Sequence, residues 1–524
     1  MAASPTNRIL PLRLPRVCIA IVGASAAEMV EKAEAVAREN PLLEFRLDYL
    51  KQPASGLATI RRLLQSRSDV VAIGTCRRAA NGGRFRGSLE AQIDILVKAG
   101  ESGCQLVDLE LQSASSIKLT DFNRLRSKAA VVLSFHDFRA TRKLDETFRK
   151  MRAFPADFYK IVTTATNLQD NVTMMKFLEE QSAHHSMVGL CMGEQGTISR
   201  VLGVRAGSVF TFAALGEGEE TAPGQITARA LRDVFRIDQV DAATKVYGVA
   251  GDPVEHSLSP LMMNAAFRRE NVNAVYLALH AKELDDLVQC IRQIPIHGVS
   301  ITMPYKEEVL ECLDNTDSLT SKVGACNTVV RAHDGKLYGF NTDIAGVLRP
   351  LEQRINIPGA RVLVLGAGGA ARAAVFGLKE RGAEVSILNR TTSVARKLAR
   401  KARAKVIKRS DLKKLQFDVI INATPVGMGS PKTSPLKENE IRCRYLLDMV
   451  YVPMETRLMK LARSKGVQVI SGAEMFTQQG ARQFEIWTGK PAPVADMQYV
   501  VQTALSAAEK AEGGGKSGRK KSKK

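Results

Sequence analysis

The sequence predicts an α/β protein: an N-terminal (β/α)8 barrel, then a two-lobed α/β unit whose second lobe is of Rossmann type. Three observations predict it. At 524 residues the chain is too long for one ordinary core, so two or three domains are expected. From residue 17 to about residue 215, short apolar runs alternate with amphipathic stretches in a βα rhythm. The stretch Arg361–Leu378, RVLVLGAGGAARAAVFGL, reads as a buried strand, a G-x-G-x-x-A turn and an Ala-rich helix.

The first-half strand candidates are Val17–Val22, Leu43–Leu47, Val70–Thr75, Leu106–Leu111, Ala130–Phe135, Phe158–Thr163, Met187–Met192 and Val209–Phe212. Helix-like stretches such as Ala26–Glu39 and Leu89–Ser102 follow most of them, and 226–237 reads as a closing helix. Eight strands over roughly 220 residues favour a barrel over the alternative, an open doubly wound sheet. Barrel chemistry sits at the carboxyl ends of the strands. Those ends carry Glu44, Arg46 and Asp48 on strand two, Arg77 on strand three, Asp108 and Glu110 on strand four, and His136-Asp137 on strand five. Strand six holds Lys160 between Tyr159 and Ile161. A lysine inside an apolar strand points into the barrel mouth or suffers a large desolvation cost, and burial makes a lysine nucleophilic toward a carbonyl. A histidine one strand away can move protons. Together they suggest Schiff-base chemistry with acid–base elimination. The bland alternatives are a snorkelling lysine and a hydrogen-bonded core histidine.

Glu44-x-Arg46-x-Asp48, Ser134-x-His136, the Lys160 strand, Gly196-x-x-Ser199-Arg200 and Thr221-Ala222-Pro223-Gly224-Gln225 together resemble type I 3-dehydroquinate dehydratase over residues 40 to 226. The resemblance implies that Lys160 forms an imine with the substrate ketone and that His136 is the general acid/base. It further implies that Arg200 clamps the substrate carboxylate while Glu44, Arg46, Arg77, Thr221 and Gln225 hold hydroxyls and orient the site. Thr221 stands where that family usually has Ser, and Asn81 where it usually has a Glu before Gly82-Gly83. An amide neither takes a proton nor balances a cation, so a weakened dehydratase site is expected.

The second half opens on a strand, Val246–Gly251. Ser257 and Ser259 precede Pro260 at a helix start, where hydroxyls commonly cap. The run from Val299 through Thr302 ends at Lys306, and Gly339-Phe340-Asn341-Thr342 ends at Asp343. A lysine and an aspartate each just past a buried strand suit a proton-shuttling pair, with a surface ion pair as the bland reading. In the turn Gly366-Ala367-Gly368-Gly369-Ala370-Ala371, Gly366 permits the bend, Gly368 admits a pyrophosphate, and Ala371 lets helix and strand pack closely. The next strand, Glu384–Leu388, ends in Asn389-Arg390-Thr391 rather than in the acidic residue usual for NAD. A guanidinium and a hydroxyl suit a 2′-phosphate, so the cofactor read from the residues is NADP(H). A surface Arg at a strand end is the alternative.

Taken together, residues 246 to 508 resemble shikimate dehydrogenase. Ser-Leu-Ser-Pro, Thr-Met-Pro-Tyr-Lys, Gly-Ala-Cys-Asn-Thr, Asn-Thr-Asp, Asn-Arg-Thr, Asn422-Ala-Thr-Pro-Val-Gly-Met428, Asp448-Met449-Val450-Tyr451 and Met475-Phe476-x-x-Gln479 follow one another in that family's order. The resemblance implies Lys306 and Asp343 at the reacting carbonyl, with Ser257, Ser259, Thr302, Asn327, Tyr451 and Gln479 on the substrate. Asn389, Arg390 and Thr391 would hold the 2′-phosphate, with Met449 and Gly472 also on the cofactor. Val394 stands where a second Arg is common, leaving Arg396 or Lys397 as substitutes. Ser259 and Thr302 fit shikimate better than quinate.

The expected organisation is a barrel at 1–240, a substrate lobe at 241–345, an NADP-binding lobe at 346–472, helices packing back on the substrate lobe at 473–511, and a disordered basic tail at 512–524. The two resemblances interlock, since the first reaction makes the substrate of the second. The expected function is dehydration of 3-dehydroquinate followed by NADPH-dependent reduction of 3-dehydroshikimate. The alternative is a shikimate or quinate dehydrogenase with a weakened or inactive barrel. Net charge is +21, part of it in the tail. Nucleic acid is disfavoured as a partner because aromatics are few and not interleaved with the charges. The eight cysteines show no C-x-x-C pair, which argues against a zinc site or disulfide framework and for a reducing compartment. No apolar run reaches membrane-spanning length. A strand-like run by Val17 leaves little room for a leader, so the expected place is the cytoplasm.

Overall fold

Each of the eight apolar runs of the first half forms a strand. The computed structural model describes residues 10, 13–254, 257–430 and 432–518, with side chains as far as Lys510. The strands are β1 (Val17–Ile21), β2 (Leu42–Arg46), β3 (Val71–Thr75), β4 (Leu106–Glu110), β5 (Ala130–His136), β6 (Phe158–Thr164), β7 (Met187–Met192) and β8 (Thr211–Ala213). They pair in parallel in the order β7-β6-β5-β4-β3-β2-β1-β8. At the β7–β8 seam the Val209 N–H donates to the Met187 carbonyl at 2.8 Å, so the sheet is a near-closed barrel.

Two elements at the end of the barrel are shorter than the sequence predicts. β8 starts at Thr211, two residues later than expected, although Val209 already bonds Met187 O of β7. The closing helix expected over 226–237 shortens to 228–234, α-helical at Ala228 and Arg229 and π-helical over Ala230–Val234. Residues 226–227 are held extended: Ala214 N–H bonds Ile226 O and Ala228 N–H bonds Ala214 O, both at 2.9 Å.

Alternation along each strand decides what the barrel encloses. The inward positions nearer the strand starts are apolar and form one buried cluster that includes Leu42, Ile73, Leu106, Val132, Phe158 and Phe212. Two residues further along, the same faces carry Glu44, Thr75, Asp108, Ser134 and Lys160, all buried. The fold therefore stacks a polar layer on an apolar floor at the carboxyl ends.

The chain divides into two compact units, Met1–Thr244 with Leu279–Ile294, and Lys245–Ala278 with Pro295–Lys524. Segment 279–294, expected in the substrate lobe, groups with the barrel. Asp286 supplies the reason, accepting from the Leu168 (2.7 Å) and Gln169 (3.2 Å) N–H groups at the start of the helix Gln169–Gln181, where a carboxylate is favoured.

In the second unit, β9 (Lys245–Gly251), β10 (Ala274–His280), β11 (Ile296–Ile301), β12 (Asn315–Thr316), β13 (Thr328–Arg331) and β14 (Leu337–Phe340) form a mixed sheet in the order β10-β9-β11-β13-β14-β12. The next six strands are β15 (Arg361–Leu365), β16 (Glu384–Leu388), β17 (Lys405–Val406), β18 (Phe417–Asn422), β19 (Cys443–Asp448) and β20 (Gln468–Ile470). They make a parallel sheet ordered β17-β16-β15-β18-β19-β20. Counted within the lobe this is 3-2-1-4-5-6, the doubly wound dinucleotide-binding order, and its switch point lies at β15.

Two long helices tie the lobes of this unit together. Asp343–Glu352 crosses Gly472–Thr488 at Gly346, where an added Cβ would stand 2.9 Å from Met475 O. Beside the crossing, Arg349 forks onto Glu485 (3.0 and 2.6 Å). Arg354 reaches Glu474 at 2.9 Å. The last helix, Val494–Gly518, packs Met497 and Val501 against Met262 and Met263. Its backbone stays helical to Gly518, into the stretch expected to be disordered; residues 519–524 of the basic tail lie outside the described residues.

Candidate active sites

In the barrel mouth the polar layer converges on one lysine. Lys160 Nζ donates to Asp108 Oδ2 at 2.9 Å, lies 3.6 Å from Glu44 Oε1 and sits 4.0 Å above the centre of the Phe212 ring. Its side chain is 4 % exposed. Asp108 is the hub: its Oδ1 also accepts from Ser134 Oγ (2.7 Å) and Arg77 Nη2 (3.0 Å). Burial pushes its carboxyl up, but Lys160 and Arg77 overcome that and hold it well below the usual carboxylate range. Glu44 is fixed by Thr75 Oγ1 at 2.8 Å.

His136 ends β5 and meets Arg77 Nη1 at 2.9 Å through Nε2. A guanidinium only donates, so this nitrogen is the unprotonated one. Burial, reinforced by the charges of Arg77 and Lys160, pushes the imidazole well below its ordinary value of 6.5. Its other support is Phe138, stacked at 6.0 Å and packed over Gly82. The chain at Asn81 forms a short turn, Ala79–Asn81.

Arg200 is 1 % exposed. Its Nη2 donates to Pro223 O at 2.9 Å, while Nε has no hydrogen-bond partner among the described residues. Burial lowers its pKa to about 10 with no carboxylate acting on it. A buried cation without a counter-ion suits an anionic ligand. Of the other sequence-predicted residues, Arg46 is committed to a fork on Asp48 (2.9 and 2.8 Å). Thr221 and Gln225 bond each other rather than the lysine, at 2.7 and 3.2 Å. Glu110 turns away to Arg78 N–H and Gln92, and Asp137 caps the loop at Arg139 and Ala140. The sequence names Asp108 only as a strand-end carboxylate. Its signal is the inward position it shares with Glu44, Ser134 and Lys160.

In the second unit Lys306 follows β11 and Asp343 opens a helix, and Nζ meets Oδ2 at 2.6 Å. The Lys306 side chain is 24 % exposed and that of Asp343 8 %. Asn327 Nδ2 donates to Asp343 Oδ1 (2.8 Å) and lies 3.4 Å from Gln479 Oε1. Ser257 Oγ accepts the Ser259 N–H at 3.2 Å. Ser259 is buried at the start of the helix Ser259–Arg269. Thr302 is half-buried at the end of β11, its methyl filling the space a Cβ on Gly251 would need. Tyr451 stacks on Phe476 at 5.2 Å.

The residues at the switch point fit a dinucleotide. Gly366 has φ +108°. An added Cβ on Gly368 or Gly369 meets nothing within 4 Å, so these glycines leave open space above the start of the helix Gly369–Glu380, which has no side-chain cap. Ala367, Ala370 and Ala371 present no bulky or charged side chain there. At the end of β16, Asn389 is half-buried with Nδ2 on Thr391 O (3.0 Å), and Arg390 and Thr391 are exposed. Across the sheet Met449 N–H bonds Asn422 O (3.0 Å), and a Cβ on Gly472 would stand 2.5 Å from Val450 O.

A barrel that cages a lysine among carboxylates, joined to a lysine–aspartate cleft beside a dinucleotide-binding sheet, defines a two-centre enzyme: a lysine-dependent lyase and a dinucleotide-linked oxidoreductase. Residues 17–242 match the family described as Type I 3-dehydroquinase. Residues 249–329 match the shikimate dehydrogenase substrate binding domain, 351–431 the shikimate / quinate 5-dehydrogenase family, and 472–502 the shikimate 5'-dehydrogenase C-terminal domain. The chain is 35% identical over 503 residues to the bifunctional 3-dehydroquinate dehydratase/shikimate dehydrogenase, chloroplastic, of Arabidopsis thaliana, covering 91% of this chain and 82% of that one. It is 39% identical over 268 residues to the shikimate dehydrogenase (NADP(+)) of Pyrococcus furiosus, covering 50% of this chain and 96% of that one. A solved shikimate 5-dehydrogenase from Thermus thermophilus is 36% identical, with a TM-score of 0.47, over 50% of this chain and 100% of that one. The chain belongs to the family of bifunctional 3-dehydroquinate dehydratase/shikimate dehydrogenases. Among the described residues no helix is long and apolar enough to cross a membrane.

Proposed function

We propose that the barrel dehydrates 3-dehydroquinate to 3-dehydroshikimate and that the second unit reduces this to shikimate with NADPH. The observation that carries the reading is the pair of lysines: Lys160 buried against Asp108 and Glu44, and Lys306 at 2.6 Å from Asp343.

In the barrel, Lys160 Nζ gives one proton to His136 and attacks the substrate ketone, and the imidazolium returns that proton to the hydroxyl so formed. Water leaves and an imine joins Nζ to the carbon. The iminium withdraws electrons from the neighbouring C–H, and His136, neutral and one inward position further along the adjacent strand, takes that proton. The β-hydroxyl departs with a proton from the imidazolium, and a second water hydrolyses the imine to free Lys160. Arg200 binds the substrate carboxylate, which supplies its missing counter-ion. Glu44, Arg46 and Arg77 hold hydroxyls, with Thr221 and Gln225 on the loop whose Pro223 carbonyl accepts from Arg200.

In the second unit NADPH supplies the hydride. Its pyrophosphate would lie on the Gly366–Ala370 turn, and its 2′-phosphate on Asn389, Arg390 and Thr391, with Met449 and Gly472 lining the cleft. Lys306 donates the proton to the ketone oxygen, and Asp343 holds Nζ in place. Ser257 and Ser259 bind the carboxylate, and Thr302, Asn327, Tyr451 and Gln479 the ring and its hydroxyls. Ser259 and Thr302 favour shikimate over quinate, which comparative turnover of the two would test.

The test is the full chain given 3-dehydroquinate and NADPH. Shikimate should form, and borohydride added with 3-dehydroquinate should label Lys160. Unlabelled Lys160 with no turnover would overturn the barrel half. A second reading, a reductase with a weakened barrel, is favoured by Asn81, which offers His136 no carboxylate; a slow first step with a normal second would support it. We place the protein in the cytoplasm. Its eight free cysteines support this, and fractionation would test it.

A further inference from the structure

Behind the Lys306–Asp343 pair, the helix Gly472–Thr488 sends into the substrate lobe an amide that the chemistry above does not use. Gln483 is 1 % exposed. Its Nε2 donates to Asn327 O at 3.2 Å and to Thr328 Oγ1 at 3.0 Å, and its Oε1 accepts from Ser300 Oγ at 2.9 Å. Ser300 Oγ lies 2.6 Å from the Tyr276 hydroxyl. All of these residues are buried.

The direction of the hydrogen bonds follows from the donors. Because Gln483 donates to the Thr328 hydroxyl, the Thr328 proton is left for Asn327 Oδ1, 2.9 Å away. The Thr342 N–H and hydroxyl donate to the same oxygen at 2.7 and 3.2 Å. With its oxygen so engaged, Asn327 turns Nδ2 to Asp343 Oδ1 at 2.8 Å. The other Asp343 oxygen then faces Lys306 Nζ.

We propose that Gln483 is a positioning residue for the reduction, acting through Thr328 and Asn327 to hold Asp343 with one oxygen turned to Lys306. The inference rests on the reading of Lys306 and Asp343 as the acid/base pair. Leucine at 483 keeps the bulk and removes the donor; the Thr328 hydroxyl, also 3.1 Å from Thr342 Oγ1, is then no longer held toward Asn327, and one of the three donors on Asn327 Oδ1 loses its direction. Thr328→Val breaks the same link with almost no change of shape.

The experiment is shikimate oxidation with NADP+ by the full chain as wild type, Gln483→Leu, Thr328→Val and the double variant. Dehydratase turnover by the barrel of the same preparations counts folded protein. Each single variant should lose about 10- to 100-fold in kcat, with KM for shikimate and Kd for NADP+ within about twofold. The pH at half-maximal kcat should move by about half a unit or more. The double variant should be no worse than the poorer single, since the two residues act in series. The inference is overturned by a Gln483→Leu kcat within about twofold of wild type, by losses that multiply in the double variant, or by a loss confined to KM and Tm. If Gln483→Leu does not fold, Thr328→Val alone decides by the same criteria. A wild-type chain inert toward shikimate would instead defeat the reading of Lys306 and Asp343.

Discussion

Lys160 and Lys306 sit in contrasting surroundings. The first is sealed in a barrel, bonded to Asp108, close to Glu44 and resting on an aromatic ring. The second stands in the turn after β11 with a quarter of its side chain exposed and one carboxylate beside it. The difference matches two kinds of work. A lysine that becomes covalently attached must be kept dry and balanced by fixed charges through several steps. A lysine that only passes a proton needs one orienting partner and room for substrate and cofactor. The barrel is preassembled by strand alternation, while the second site is assembled by two helices crossing at Gly346.

The largest effect that sharpens this contrast is expected at the sealed lysine. Lys160→Ala should lower dehydratase turnover roughly ten-thousandfold or more and leave shikimate oxidation untouched, measured on one preparation. Next is Arg200→Met, which should raise KM for 3-dehydroquinate by about 10- to 100-fold, as for a lost charged hydrogen bond. The same change removes a buried cation with no counter-ion, so the midpoint of urea unfolding should hold or rise. A lowered midpoint would mean that Arg200 is balanced within the fold.

Asn81→Glu has a smaller expected effect. A carboxylate at the position where the family usually carries one should raise dehydratase kcat by about three- to tenfold. No gain would make Arg77, already on Nε2, the group that orients the ring. The last concerns pH. The His136 pKa in the fold lies below the ordinary 6.5, so the imidazole stays neutral as pH falls through that value. The acid limb of kcat/KM for dehydration should therefore lie below pH 6.5. The unfolded chain takes up this proton first, so His136 also costs stability as pH drops below 6.5. An acid limb above 6.5 would contradict the burial of the ring.

Much of this is legible in the sequence because period-two alternation carries both fold and site. The inward faces that read Leu42-Glu44, Val132-Ser134 and Phe158-Lys160 foretell the barrel and the contents of its mouth. Gly366 through Ala371 mark the switch point, and Lys306 and Asp343 do meet. What stays hidden depends on long-range packing. Asp108 reads as one strand-end acid among several until register sets it beside Lys160 and Arg77. Glu110, two residues on, turns to a backbone N–H and Gln92 instead. Gln483 carries no mark of its role in the sequence, four residues after Gln479 on a helix that proves buried along most of its length. The closing helix starts late because pairing with Ala214 holds residues 226–227 extended.

The most direct test of two lysines serving two successive reactions is one coupled assay. Full-length Lys160→Ala and Lys306→Ala chains receive 3-dehydroquinate and NADPH, and NADPH loss is followed. Both should fail, and adding 3-dehydroshikimate should restore oxidation of NADPH in Lys160→Ala alone. Restoration in Lys306→Ala, or turnover of 3-dehydroquinate by Lys160→Ala at the wild-type rate, would contradict the account.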